Sequence, residues 1–428
     1  MSSIRLYVTG TRATRSRDLI ADILAWVRET YPATLCATMR AVDDDRRPCL
    51  AVSFHPGAEE LLLTERDDGG LIAQAVTSTA GPGYHAYVCE VLHALGARFE
   101  VTWDARNPDG TPGDVTGYFA TPDRAALEDT MARWLAVLAL RVRALAQEGH
   151  KDIALSLPVG REYSHDGLFA TPLGPRDAAW LDGACADGRA GFDIFPWAEP
   201  GAGAGYLLGR ALVRMWTDVR WRTPAAAEER EALEEVTALL EAAYTEDPSR
   251  AYPWREWAEM LALLGVESLL ATRAQLRAET APPAPAIGYR RRDIRLTISG
   301  GWSLVVPGDF AETWDEQGTW CAWDGTRTLW FTSFSMKDAN GADRTATVEE
   351  TLAGLPKLEG EKSAFTAGKV RGIAALGRGH DRGVELQQLR AYAAVPANAA
   401  VLTLCFELET DPAWAYEVWR SLRYSAES

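Results

Sequence analysis

The segment APPAPAI, residues 281–287, decides how this chain is organised. Prolines occupy three of its seven positions. Because proline fixes φ and carries no N–H donor, such a segment favours an extended, semi-rigid connector over packed structure. We therefore place a linker at 281–287, between a larger N-terminal part and a smaller C-terminal domain. A chain of 428 residues is expected to form two or three domains, at roughly 100–200 residues each.

On the N-terminal side of the linker, residues 1–150 have the mixed pattern of an α+β domain. Apolar residues at helical spacing alternate with segments of period two and with turns rich in glycine and aspartate. The pattern predicts a strand over 4–10, a helix over 17–30, a hairpin turning at 67–70, a strand around 99–103 and a long helix over 121–145.

Residues 151–280 are predicted to be mainly helical and to pack on the first domain. Apolar periodicity predicts helices over 206–216, 229–244, 252–264 and 268–279. The stretch LLEAAYTEDPSRAYPWREWAEMLALLG, residues 239–265, resembles the junction between two tetratricopeptide-type repeats. The repeat does not recur along the chain, so we expect an antiparallel helical hairpin and not a repeat array.

On the C-terminal side, residues 288–428 are rich in strands. The segments GWSLVVPGDF (301–310), VLTLCFEL (401–408) and AWAYEVWRSLRY (413–424) follow one another in the order strand, strand, helix. In this order and pattern, residues 290–424 resemble the Mog1/PsbP/DcrB-like domains. The resemblance implies an antiparallel-sheet α/β/α sandwich. It also implies a non-enzymatic role, since domains of this group bind or escort proteins and some bacterial members act as effector chaperones.

The net charge of −16 and the sequence pI of about 5.0 argue against general binding to nucleic acids or anionic membranes. The only tight basic run is Arg290–Arg292. Six scattered cysteines without a CxxC pair predict reduced thiols, with neither a disulfide framework nor a structural zinc site. With no apolar run of signal-peptide or membrane-spanning length, we expect a cytoplasmic protein that does not insert into membranes. The preference for arginine over lysine is typical of a GC-rich bacterial gene.

A second stretch, GPGYHAYVCEVLHALG at 81–96, carries the candidate metal ligands. It predicts a helix over 84–95 that ends at Gly96. His85, Cys89 and His93 form one stripe of that helix. Positions eight apart lie ~12 Å apart along the axis, so at most one pair could hold an ion, and His85 and Cys89 are the candidates. We favour the interpretation that the stripe lies at the edge of a core and binds no metal, with the pair as the alternative. The glycines of GPG could also leave helix amides free for an anion.

Motifs for catalysis and cofactor binding are missing from the sequence. It contains no GxSxG, HExxH or GxxxxGK[ST] pattern. Ser164, His165 and Asp166 are adjacent, but triads assemble in space, so we interpret the run as a loop. We therefore predict no catalytic residue and no cofactor.

The 16 tryptophans indicate a binding surface. Tryptophan buries a large area, keeps one N–H donor and is frequent at protein interfaces. Trp302 and Trp330 are expected in the core, and Trp314, Trp320 and Trp323 are the candidates for an exposed protein-binding face.

These observations favour a non-catalytic bacterial protein that binds another protein as an adaptor, chaperone or accessory factor. Two alternatives stay open. The first is an enzyme, or a protein that binds a small ligand or metal near the helix 84–95. The second is an immunity-type inhibitor, because acidic inhibitors often mask basic active sites.

Overall fold

The computed structural model describes residues 3–12, 18–43, 45–150, 153, 155, 167–282, 284–337, 346–381 and 384–425. They form two compact units, and both mix helices with antiparallel sheets. Unit 1 contains the described residues up to 155 together with 167–219 and 231–288, and unit 2 contains 220–230 and 289–425. The change of unit after Gly288 lies one residue beyond the proline-rich segment.

Unit 1 is built on a six-stranded sheet in which all neighbours are antiparallel. The order across the sheet is β2-β3-β4-β5-β1-β6. The hairpin predicted at 67–70 is confirmed, because its two strands pair and the Arg66 N–H donates to the Gly70 carbonyl. The strands are β1 (Arg5–Arg12), β2 (Ala37–Val42), β3 (Pro48–Ser53), β4 (Leu61–Glu65), β5 (Leu71–Val76) and β6 (Val101–Asp104).

Two helices, α1 (Leu19–Thr30) and α2 (Pro82–Phe99), share a core with one face of this sheet. Leu6 and Val8 point to that face and are fully buried. Burying one such aliphatic side chain stabilises a fold by about 1.5–3 kcal/mol. The alternate residues of β1 point to the opposite face, which is where the groove described below lies.

The bounds of α2 differ from the predicted helix at both ends. Gly96 does not end the helix, which continues to Phe99 and is capped by Glu100 in the left-handed conformation, φ 54°. The reason is packing, because a Cβ on Gly96 would lie 2.8 Å from Trp103 Nε1 and 2.9 Å from the Val101 carbonyl oxygen. The glycine therefore allows close contact between α2 and β6 and is not a helix terminator.

The rest of unit 1 is mainly helical. The long helix begins after an Asp123 cap, two residues later than Thr121, because the Asp123 carboxylate accepts from the Ala126 N–H. Helices α7 and α8 pack against each other across a turn that starts at Gly265, φ 68°. The elements are α3 (Arg124–Gln147), β7 (Phe169–Thr171), β8 (Gly174–Arg176), α4 (Ala178–Ala186), a 3₁₀ segment (Gly188–Ile194), α5 (Ala204–Thr217), α6 (Ala227–Glu246), α7 (Trp254–Leu264) and α8 (Leu269–Thr280).

Unit 2 contains a seven-stranded antiparallel sheet of order β11-β12-β13-β17-β16-β15-β14 and a three-stranded sheet of order β18-β10-β9. Helix α10 packs on one face of the larger sheet through Trp419, and α9 packs on the other. The elements are β9 (Ile294–Thr297), β10 (Trp302–Val306), β11 (Ala311–Trp314), β12 (Trp320–Trp323), β13 (Arg327–Ser335), α9 (Val348–Ala353), β14 (Glu361–Ala367), β15 (Val370–Asp381), β16 (Val384–Val395), β17 (Asn398–Phe406), α10 (Ala413–Arg420) and β18 (Arg423–Tyr424).

Residues 220–230 correct the expectation that 151–280 is one region packed on the first domain. This segment, which includes the first four residues of α6, belongs to unit 2. Arg222 donates to the Asp309 carbonyl at 2.8 Å, and Arg220 donates to the Phe310 carbonyl. The two arginines hold the segment on the turn before β11.

Among the helices of the described ranges, none combines the length and apolar character that a membrane span requires.

Candidate functional site

His85, the first candidate metal ligand, lies on α2 and is completely buried. Its Nδ1 is 2.8 Å from the Thr77 hydroxyl, and its Nε2 is 3.1 Å from the Thr116 hydroxyl. The Asp114 carboxylate lies 3.5 Å from the same Nε2. Both ring nitrogens therefore have polar partners within the protein, as a buried imidazole requires.

Asp114 is the centre of a tight turn beside this ring. One carboxylate oxygen accepts from the Thr116 N–H at 2.8 Å and the Thr116 hydroxyl at 2.6 Å, and the other accepts from the Phe119 N–H at 2.8 Å. Burial disfavours the charged carboxylate, but the His85 interaction and these donors outweigh it and lower the Asp114 pKa. The network thus ties the loop at 113–119 to α2.

Thr77, His85 and Asp114 lie next to one another in the order hydroxyl, imidazole, carboxylate, which is the order of groups in a catalytic relay. Catalysis would require the hydroxyl to reach a substrate. Thr77 and His85 are both 0% exposed and Asp114 is 6% exposed. The Thr77 hydroxyl is also 3.4 Å from the Ile4 carbonyl, to which it donates. The arrangement therefore acts as an internal polar anchor.

Cys89 and His93 do not join His85 in a metal site. Cys89 is buried in the apolar core, and burial raises the pKa of its thiol. His93 stacks on the Phe119 ring, and its Nε2 is 3.0 Å from the Phe119 carbonyl. Within the ranges that the structure describes, no group of three or more His, Cys, Asp or Glu could hold a metal ion.

The segment 197–199 of the same chain lies against the start of α2. The Tyr84 N–H donates to the Trp197 carbonyl at 3.2 Å. A Cβ on Gly83 would lie 2.1 Å from the Glu199 carbonyl oxygen, so the chain at 197–199 lies directly against the glycines. The GPG motif serves this close approach of two backbones.

The three candidate tryptophans lie on two faces of the unit 2 sheet, not one. Trp314 and Trp320 are cross-strand partners and share a face. Trp320 is only 2% exposed and fills the core, so it is not a surface residue. Trp314, at the sheet edge, is 49% exposed. Trp323 is three residues beyond Trp320 on the same strand, and the period of two turns it to the opposite face.

That opposite side carries an aromatic surface, which we call the outer face. Its centre is Trp323 and Trp330, and both are partly exposed. Trp330 was expected in the core, but it pairs with Cys321 and so shares the face of Trp323. Polar residues border the pair: Thr328 is opposite Trp323, Thr403 is opposite Trp330, and Arg390 is opposite Thr403.

In the basic run Arg290–Arg292 only Arg292 is exposed, so the three residues do not form a continuous basic surface. Arg290 is buried, donates to the Gly308 carbonyl and pairs with Glu312. Arg291 stacks on the Trp221 ring at 3.4 Å from its centroid. Trp221, which the sequence suggested as part of the helical region, therefore belongs to unit 2.

The sequence did not reveal a groove of about 830 Å³ on the open face of the unit 1 sheet, which we call the unit 1 groove. Its floor is formed by β1, β4 and β5, and its walls are the segments 58–60 and 107–115. The volume is within the range of small-ligand sites. No motif marks it, because its lining residues come from four separate parts of the chain.

A second feature that the sequence did not reveal is His55, which is completely buried between Trp197 and Tyr206. Its Nδ1 accepts from the Gly57 N–H at 3.0 Å, so the neutral ring carries its proton on Nε2. Burial, together with the charge of Arg210, lowers the His55 pKa to about 3. The run Ser164–Asp166 lies outside the described residues.

No protein-family model matches this chain, and no curated protein matches it. A crystal structure of a protein from Bacteroides thetaiotaomicron VPI-5482 is similar to part of the chain, with 15% sequence identity and a TM-score of 0.25. The similarity covers 31% of this chain and 48% of that protein, so the chain matches about half the length of that structure.

Proposed function

We propose that this chain is a non-catalytic bacterial protein that binds another protein through the outer face of unit 2. The observation that carries the proposal is the pair Trp323 and Trp330, which are partly exposed on one sheet face as diagonal neighbours on adjacent strands. Aromatic residues that keep an accessible surface are enriched at the centres of protein interfaces.

The surroundings of the pair have the composition of an interface. Thr328, Thr403 and Arg390 border the aromatic centre with groups that can donate or accept hydrogen bonds. Arg390 is exposed, and its Nε donates to the Gln388 side chain at 2.8 Å. An aromatic centre with a polar rim suits a folded protein surface better than a small molecule.

We also propose that unit 2 has the Mog1/PsbP-like architecture. Its seven-stranded antiparallel sheet with α10 on one face and α9 on the other is compatible with an α/β/α sandwich. The role that this resemblance implies is adaptor or chaperone work. All six cysteines are free, which supports a reducing, cytoplasmic location.

The test is site-specific photo-cross-linking in the native bacterium. A benzophenone side chain replaces Thr328 on the outer face, and in a control protein it replaces Trp314, which is exposed on the other face. We expect one protein to be captured from Thr328 and not from Trp314. Its affinity for the purified chain should fall about tenfold or more in Trp323→Ala, as for an aromatic hot spot.

Matched variants separate binding from folding. Trp314→Ala removes an exposed tryptophan of the same size and should leave the affinity unchanged. Equal capture from both positions, or equal affinity of the two alanine variants, would rule out the outer face as the binding surface. Because the chain is acidic, a basic partner is favoured. The partner's identity would distinguish an adaptor or chaperone from an immunity-type inhibitor.

A further inference from the structure

The unit 1 groove has a floor of defined composition. Tyr7, Gln74 and Leu62 are aligned across three neighbouring strands, because Gln74 pairs with both of the others. Arg5 and Val76 form the next pair on the same face of β1 and β5. The floor therefore presents an aromatic ring and two aliphatic side chains, with an amide and a guanidinium among them.

Both walls of the groove are held by consecutive residues of α2. The Tyr84 hydroxyl donates to the Glu59 carbonyl at 2.5 Å, which fixes the wall at 58–60. His85 holds Asp114, whose neighbours Gly113 and Val115 line the opposite wall. That wall is also joined to the floor, since the Tyr7 N–H donates to the Gly113 carbonyl at 2.8 Å. The buried network thus shapes the groove in advance of binding, which lowers the entropic cost of binding.

The charges of the groove favour a cation. Glu59 and Glu60 are exposed in one wall, and neither carboxylate has an ion-pair partner among the described residues. Arg5 contributes one positive charge at the floor, which leaves the groove with an excess of negative charge. The net charge of −16 on the whole chain adds attraction for cations.

We propose that the unit 1 groove binds a small organic cation, a primary amine with an apolar body. The ammonium group pairs with Glu59 and Glu60, and the body packs on Tyr7, Leu62 and Val76. This site is separate from the protein-binding face proposed for unit 2, and neither proposal depends on the other.

The experiment compares two probes that differ in one charge, 4-phenylbutylamine and 4-phenylbutanol. Calorimetry with the full chain gives their affinities, and methyl NMR of Leu62, Val76 and Val115 locates the bound probe. We expect the amine to bind more tightly than the alcohol by about tenfold, since two exposed carboxylates each contribute a few-fold. The methyl signals of the three residues should shift on titration.

Charge variants test whether the affinity for the amine falls when negative charge is removed and rises when positive charge is removed. Glu59→Gln with Glu60→Gln should weaken amine binding about tenfold, while Arg5→Gln should strengthen it about threefold. The control pair, Glu359→Gln with Glu361→Gln, removes the same charge from exposed positions of unit 2 and should change affinity less than twofold.

A positioning role for Tyr84 gives a separate prediction. Tyr84→Phe removes the hydrogen bond to the Glu59 carbonyl without removing a charge. It should therefore lower the affinity for both probes by the same factor. The proposal is overturned if the amine and the alcohol bind equally well to the unaltered chain. It is also overturned if the control pair weakens the amine as much as the Glu59 and Glu60 variants do, or if the three methyl signals stay unshifted.

Discussion

Replacing His55 by asparagine should flatten the pH dependence of the stability of unit 1. In the folded chain the His55 ring is completely buried, and burial with the Arg210 charge lowers its pKa to about 3. In the unfolded chain the same ring has its ordinary pKa of about 6.5. Between these two values the unfolded chain binds a proton that the folded chain does not. Stability therefore falls as the pH is lowered through about 6.5.

The size of the effect follows from the two pKa values. Each pH unit below about 6.5 costs about 1.4 kcal/mol of unfolding free energy. Between about pH 7 and about pH 5 the loss amounts to about 2 kcal/mol, before any contribution from carboxylates with lower pKa values. Asparagine removes the titration but keeps an acceptor near the position of Nδ1, so the Gly57 N–H keeps a partner.

The assay is urea unfolding of both proteins at a series of pH values, followed by tryptophan fluorescence. His55→Asn lowers stability at every pH because it removes packing against Trp197 and Tyr206, so the informative quantity is the difference between the two proteins. That difference should shrink by about 2 kcal/mol from about pH 7 to about pH 5. His150→Asn, at a side chain 61% exposed, is the control and should give a curve parallel to that of the unaltered chain. If the His55→Asn curve is also parallel, the assignment of a low pKa to His55 is wrong.

Three further predictions concern packing and reactivity. Gly96→Ala should destabilise the chain by about 1–3 kcal/mol in thermal unfolding, because the new Cβ overlaps Trp103. Gly377→Ala is the control and should cost less, because nothing lies within 4 Å of its Cβ. Equal losses in the two variants would contradict the packing argument. Trp320→Ala should cost about 3–5 kcal/mol, whereas a loss below about 1 kcal/mol would show that Trp320 is not in the core. Cys89 should resist iodoacetamide in the native chain and react after unfolding in urea, as measured by peptide mass mapping; rapid native labelling would refute its burial.

Local patterns predicted most of the secondary structure. The α1 helix begins after an aspartate cap and buries Leu19, Ile20, Ile23 and Val27 on one stripe, and the apolar spacing alone is sufficient to predict it. The hairpin between β4 and β5 was predictable because its glycine-rich turn lies between two apolar runs. Such features depend on residues close together in the chain.

The candidate sites were less predictable, because their environments come from distant residues. His85 meets Asp114 and Thr116, which lie 29 and 31 positions away, and spacing along a helix carries no information about them. The same holds for Gly96. Its residue type predicts a helix end, but it lies inside α2 because β6 packs closely against it.

Which tryptophans share a face of the sheet depends on strand register, which the sequence did not predict. Their number indicated a binding role, but the pairing of β11, β12 and β13 decided which of them share a face. A shift of one residue would exchange the two faces, so register must be known before a surface can be described.

By itself, the sequence determined the kinds of elements, the proline-rich boundary, the acidic character of the chain and the impossibility of a three-residue metal site on one helix. Tertiary structure decided the rest: the burial of His85 and His55, the assignment of residues 220–230 to unit 2, the internal role of Arg290 and the groove beside β1. The physical reason is that propensity and periodicity act between near neighbours, whereas burial, charge pairing and cavity shape arise where segments far apart in the chain come into contact.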